Sequence, residues 1–298
     1  MDVDMVSPGF EEIVLSESSL EVIANDLLFG EGPVWNSKTG EFFWVDIIND
    51  TIWKYKKGVG RQVVMQPSYK ADGLTFDLEG RLVVAGWAWR RVWRLEHDGT
   101  ITTLCSEFDG QKLNTPNDIV VKSDGSIYFT DPSGALNNVE MQGDDLQRYM
   151  DYHGVFRIAP NGGVTLVVKD FVYPNGLAFS ADESLLFIND TRENLIKVYE
   201  VNPDGSVKNG KLFCKLAGSE AGVADGMKID IRGNVYCTGP AGIQVFSPKG
   251  DLLGRIKIPG HATNLGFGDD DWKGLYVTTY SSVFKVRLGV AGLPVQIN

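Results

Sequence analysis

Short apolar runs alternate with Gly- and Asp-bearing turns along the whole chain. The stretch "YPNGLAFSADESLLFIND", Tyr173 to Asp190, reads as an apolar strand, a turn at Ala181–Asp182–Glu183 and a second strand. The same pattern recurs in "EGPVWNSKTGEFFWV", "ADGLTFDLEGRLVVAG", "PNDIVVKSDGSIYFT", "ADGMKIDIRGNVYCT" and "TNLGFGDDDWKGLYV". Each begins with a small or polar group, then runs strand, tight turn, strand, break and third strand. The turns "SKTGE", "LEGR", "SDGS", "ADES", "IRGN" and "WKGL" have the chemistry of sharp reversals. A fourth strand follows several repeats, after "HDG", "PNGG", "NPDG" and "SPKG".

Anchored on their lead residues, Glu31, Asp72, Asn117, Asn175, Asp225 and Asn264, the repeats are spaced by 41, 45, 58, 50 and 39 residues. A period of roughly 40–50 residues with four strands each is the mark of propeller blades. The expected fold is all-β: a six-bladed β-propeller of four antiparallel strands per blade, forming a single domain over residues 1–298. Two stacked β-sandwiches would not require the same polar lead residue in each repeat. The N-terminal "EEIVLSESSLEVIA" (11–24) is left over as strand-like material that can complete the last blade and close the ring. The long third interval holds an insertion, "NNVEMQGDDLQRYMDY" (137–152), expected as a loop or short helix over one face.

Composition narrows the function. The 298 residues are 43% hydrophobic and 22% charged, ordinary for a globular protein, and the 34 glycines fit a fold of many turns. A formal charge of −11 with no long basic run argues against nucleic acid as a partner, because phosphate neutralisation needs clustered Lys and Arg. No apolar stretch reaches membrane-spanning length and no secretory signal opens the chain. Cys105, Cys214 and Cys237 are odd in number and widely spaced, and read as reduced, packed thiols of a cytoplasmic protein. The oligomeric state is not legible.

In a propeller the first strand of each blade lines the axis, so the lead residues converge as a ring at one mouth. That ring reads Glu, Asp, Asn, Asn, Asp, Asn: oxygen donors throughout and no basic group. Carboxylates gathered without a counter-charge repel one another, and a cation removes the penalty. Hard oxygen donors without His or Cys suit Ca²⁺ or Mg²⁺. Asn-Gly and Asp-Gly are also common turn formers, so the repeat alone leaves a turn role open for each.

The motifs "FGEGPVW" (29–35), "TPNDIVVKSDGSIYFTDPSG" (115–134), "YPNGLAFS" (173–180) and "ADGMKID" (224–230) resemble the gluconolactonase and regucalcin (senescence marker protein) family of six-bladed propellers. The longer "YFTDP" form is similar to the bacterial-type gluconolactonase branch. The resemblance implies a lactonase that binds a divalent metal, most often Ca²⁺ with Mg²⁺, Mn²⁺, Fe²⁺ or Zn²⁺ as alternatives. It assigns Glu31, Asn117, Asn175 and Asp225 to the metal, Asp225 also being the catalytic residue. Asp72 and Asn264 are left as ring-lining or turn residues. Several branches carry an Arg two positions before the Asn of "PND". This chain has Thr115 there, after Asn114, so Asn114, Thr115 and Asn117 are the expected substrate contacts and the preferred lactone is open.

The implied reaction is metal polarisation of the lactone carbonyl, with water attacking under Asp225 as base. The rivals are a calcium-dependent organophosphate hydrolase of the diisopropyl-fluorophosphatase type and a non-catalytic calcium-binding propeller. His97, His153 and His261 lack ligand spacing and read as surface or packing residues, His261 lying near the mouth. Asp131 reads first as a turn brace bonding backbone N–H groups, with a place in the pocket lining as the alternative. Trp87 and Trp89, two apart on one strand, would share a face and pack between blades.

Overall fold

The structure, a computed structural model, describes residues 1–298 except Ala135, Asn137 and Asn138. Its principal sheets are six antiparallel β-sheets arranged as a six-bladed β-propeller. The inner strands are Gly30–Asn36, Ala71–Phe76, Ile119–Val121, Pro174–Phe179, Met227–Ile229 and Ala262–Gly268. They neighbour one another around the axis, and each blade then steps outward in chain order except where an N-terminal strand forms the outer edge of the last two.

The N-terminus closes the ring as anticipated. Leu20–Ala24 pairs antiparallel with Val283–Arg287 and supplies the fourth strand of the last blade. Two details differ from the expectation. Phe10–Ile13 is a short helix that buries Phe10 and Ile13, and Val3–Met5 adds a fifth strand to the outer edge of the fifth blade. Along the stretch from this helix to Leu20–Ala24, the Gly289 N–H donates to Ile13 O at 2.9 Å and Ser18 Oγ to Arg287 O at 2.6 Å, tying the segment to the end of the last blade's third strand. In the insertion 137–152, Val139–Gln142 forms a helical turn, while Asn137 and Asn138 lie outside the described residues.

Apolar side chains gather between neighbouring sheets. The first and second blades share Phe43, Phe76 and Trp93; the second and third share Val83, Phe129 and Phe156; the third and fourth share Tyr128, Leu177 and Phe179. Equivalent clusters join the fourth to the fifth, the fifth to the sixth and the sixth back to the first. Burial on this scale stabilises by about 25 cal/mol per Å². All three cysteines are free and buried within or beside these layers. Burial pushes the thiols of Cys105 and Cys214 up to about 11 and about 12. No helix among the described residues is long and apolar enough to cross a membrane.

Trp87 and Trp89 fall in the turn between Leu82–Gly86 and Arg91–Leu95 rather than on a strand, so the shared-face expectation does not apply. Trp87 is buried between the first two blades. Trp89 stacks on Tyr69 at 4.1 Å, with the Arg91 guanidinium 4.1 Å from its ring.

Candidate active site

Backbone contacts between neighbouring blades build the ring. The Gly73 N–H donates to Asn117 O at 2.8 Å, and the Gly176 N–H to Asp225 O at 2.9 Å. A Cβ at either glycine would stand 2.3 Å from that carbonyl oxygen. Glycine therefore follows the lead residue because the next blade's backbone occupies the side-chain space.

This stitching also corrects the sixth position. Gly226 N donates to Thr263 O at 2.9 Å, which puts Thr263, not Asn264, in register with Asn117 and Asp225. Asn264 instead matches Asp118: in each, the side-chain Oδ1 accepts the following backbone N–H at 2.8 Å (Ile119 and Leu265). Asn264 turns toward Glu31, its Nδ2 donating to Oε2 at 2.9 Å.

Glu31, Asp72, Asn117 and Asn175 are buried, as is Thr263. Asp225 alone among the lead residues stays partly open. The Asn117 amide donates to Asp72 Oδ2 at 2.8 Å. The Asn175 amide donates to Thr191 Oγ1 at 3.1 Å, and that hydroxyl in turn donates to Ala224 O at 2.6 Å. This hydrogen-bond chain fixes the amide's orientation and leaves Asn175 Oδ1 buried without a partner.

The ring carboxylates Glu31 and Asp72 are buried, close to each other and to Asp225. Burial pushes the Glu31 carboxyl up to about 7, against hydrogen bonds from Gly32 and Asn264 that favour the charged form. Burial and then the Glu31 charge raise both Asp72 and Asp225 well above the usual carboxylate range. Asp118, one residue further along the axis, is raised by burial despite Lys228 at 3.8 Å. The sequence showed no basic group in the ring, and Lys228 lies one layer beneath it. No three His, Cys, Asp or Glu among the described residues form a ready metal-holding group. A metal here would take two carboxylates, Glu31 and Asp225, and two amides, Asn117 and Asn175. The orphaned Asn175 oxygen and the crowded carboxylates fit a hard cation that accepts neutral carbonyl oxygens.

Of the expected substrate contacts, Asn114 and Thr115 are engaged by the surrounding backbone, and Asn114 keeps a buried oxygen, Oδ1, without a partner. Both are wholly buried. Asn114 Nδ2 donates to the carbonyls of Asp131 (3.3 Å) and Tyr152 (3.0 Å). The Thr115 hydroxyl donates to Pro132 O, which its own backbone N–H also reaches. Their polar hydrogens brace the segment after Asp131 instead of facing the mouth. Asp131 is the brace expected, accepting the Asn114 N–H at 2.8 Å, and burial pushes it up to about 8.

The profile of the SMP-30/Gluconolactonase/LRE-like region matches residues 29–281. The chain belongs to that family. Among its family relatives, a gluconolactonase from Zymomonas mobilis is 29% identical, the match covering 96% of this chain and 86% of the relative. A pentonolactonase from Haloferax volcanii is 25% identical over 87% of this chain and 84% of its own. The solved gluconolactonase of Xanthomonas campestris superposes with a TM-score of 0.89 at 26% identity, covering 97% of this chain and 95% of that one.

Sequence reasoning missed Asp118, Lys228, Tyr173 and the Ser133–His153 pair. For Asp118 a signal was present, since "PND" breaks the rule that places glycine after Glu31, Asp72, Asn175 and Asp225. Tyr173 is half-buried beside the ring, where burial and then the charges of Asp225 and Asp72 push its phenol upward. On the far rim Tyr280 stacks on His261 at 4.7 Å and lies 4.6 Å from Phe29. His261 is thus a mouth residue engaged in packing, and His97 is an exposed turn residue.

Proposed function

We propose that this chain is a divalent-metal-dependent lactonase that opens a lactone ring at the mouth of the propeller. Glu31, Asn117, Asn175 and Asp225 would hold the metal. Ca²⁺ is the best match to two carboxylates and two amides. The observation that carries the reading is the contrast within the ring: a buried amide oxygen on Asn175 lacks a partner, while Asp225 alone stays open. Family membership and the gluconolactonase and pentonolactonase relatives support the substrate class.

A bound cation supplies Lewis-acid polarisation of the substrate carbonyl. The protein's own part falls first to Asp225 as general base, the one lead carboxylate that stays partly open. As water's oxygen bonds to the carbonyl carbon, Asp225 takes its proton. The ring C–O bond then breaks and the ring oxygen recovers a proton, giving the hydroxy acid. Asn175 holds its oxygen toward the site through the Thr191 hydrogen bond, and Asn264 orients the Glu31 carboxylate.

The test is hydrolysis of sugar lactones, aliphatic lactones and a fluorophosphonate by calcium-loaded protein, followed by pH-stat. Turnover of lactones over the organophosphate is expected. Turnover of the fluorophosphonate alone, or of nothing, would overturn the reading.

A further inference from the structure

On the rim beside the ring, Ser133 Oγ lies 2.7 Å from His153 Nε2, and His153 Nδ1 lies 2.5 Å from the carbonyl oxygen of Val172. A carbonyl only accepts, so Nδ1 carries the hydrogen. In the neutral ring Nε2 is then an acceptor, and it takes the single hydroxyl proton of Ser133. The consequence is directional: Ser133 Oγ has no hydrogen left to give and offers lone pairs to whatever enters the mouth. We propose that Ser133, fixed as an acceptor by His153, binds a hydroxyl group of the substrate and makes this enzyme selective for hydroxylated over unsubstituted lactones. This rests on the lactonase reading above and names the substrate class within it.

Position supports the role. The Pro132 carbonyl is held by the backbone N–H and hydroxyl of Thr115, two residues before Asn117. The Asn117 N–H in turn donates to Thr130 O at 2.9 Å, so Ser133 stands just above a ring residue. Gly134 lies against the Tyr173 hydroxyl, where any Cβ would collide with it. Ser133 itself is half-exposed. The neighbouring Asn114 and Thr115 are wholly buried, whereas the half-exposed Ser133 presents its oxygen at the surface.

The groups facing His153 are the Tyr173 ring at 6.3 Å and the charges of Arg148 and Asp190. Burial, first, and Arg148 hold its pKa below the usual value, against the Val172 hydrogen bond and Asp190. The ring is therefore neutral at pH 7. Protonation in acid reverses the pair: Nε2–H then donates to Ser133, whose hydroxyl turns outward as a donor.

The experiment compares kcat/KM for glucono-1,5-lactone and for δ-valerolactone, the same ring without hydroxyls, using calcium-loaded protein. Ser133→Ala is expected to lower the first by about tenfold and to leave the second within about twofold, the effect of one lost hydrogen bond to substrate. Ser133→Thr keeps the hydroxyl and restores the ratio. Equal losses on both substrates, or an unchanged ratio in an active Ser133→Ala protein, would overturn this proposal and leave the lactonase reading standing. A wild type inactive on both lactones would overturn both. Independently of turnover, ¹⁵N NMR should find His153 as the Nδ1–H tautomer, and an Nε2–H tautomer would contradict the pair's direction.

Discussion

Asp225 and Asp230 lie five residues apart, flanking the inner strand Met227–Ile229 at its two ends, and they differ in what surrounds them. Asp230 is wholly buried and saturated: it accepts from Arg232 N, Asn234 N, Asn234 Nδ2 and Tyr236 OH at 2.8–3.0 Å. Asp46 and Asp190, at the ends of second strands, are similarly served, each by backbone N–H groups from two segments. Asp225 has the Asn175 amide beside it, and otherwise the charges of Glu31 and Asp118. A carboxylate that tightens a turn is recognised by its donors. One kept for chemistry is recognised by their scarcity and by like charges nearby.

Replacing each aspartate separates these roles. Asp225→Asn should lower kcat/KM for lactones by about 10²–10⁴-fold, the range of a lost general base, while thermal unfolding stays level or moves upward as a like charge leaves the ring. Asp230→Asn should do the opposite. Its turn loses charge-assisted acceptor capacity, at a cost of about 1–3 kcal/mol in denaturant unfolding, and the folded protein keeps its kcat/KM. A stability loss in Asp225→Asn with activity intact would erase the distinction.

A smaller effect comes from Asp131, which combines both features: it braces two backbone N–H groups yet keeps a buried oxygen without a partner. Its pKa is raised to about 8, against an unfolded value of about 4. Between those values the folded state binds the proton and the unfolded state does not, so stability declines as pH rises through the window and levels off above pH 8. Asp131→Asn should lessen that decline, seen as a smaller drop in Tm between pH 5 and pH 9. An equal or steeper drop would show that Asp131 is not its source.

The blades were legible because strand, turn and strand repeat with period, and because five of the six lead residues precede glycine or aspartate, Asn264 before Leu265 being the exception. The N-terminal closure followed from counting the strand material left over. What stayed hidden depends on contacts between blades. The spacing from Asp225 to Asn264 is compatible with either Thr263 or Asn264 in the ring, and only the Gly226 hydrogen bond to Thr263 chooses between them. Asn114 and Thr115 sit where a substrate contact was expected, yet the carbonyls of Asp131, Pro132 and Tyr152 claim their hydrogens. Ser133 and His153 are twenty residues apart across the insertion, a distance no local pattern spans. Lys228 alternates to the axis beneath the ring, which its position in "DGMKID" does not reveal without the third dimension.

The most direct test of the account is the cation dependence of lactone turnover in wild type and Asn175→Ala. Stripping the wild type with a chelator should abolish hydrolysis of glucono-1,5-lactone above its spontaneous rate, and Ca²⁺ or another divalent cation should restore it. Asn175→Ala, lacking the orphaned oxygen, should need about 10–100-fold more cation for half-maximal rate, a loss at least as large as that from removing a residue behind a metal ligand. Full turnover in the chelated wild type, or an unchanged cation requirement in Asn175→Ala, would contradict the ring as a metal centre.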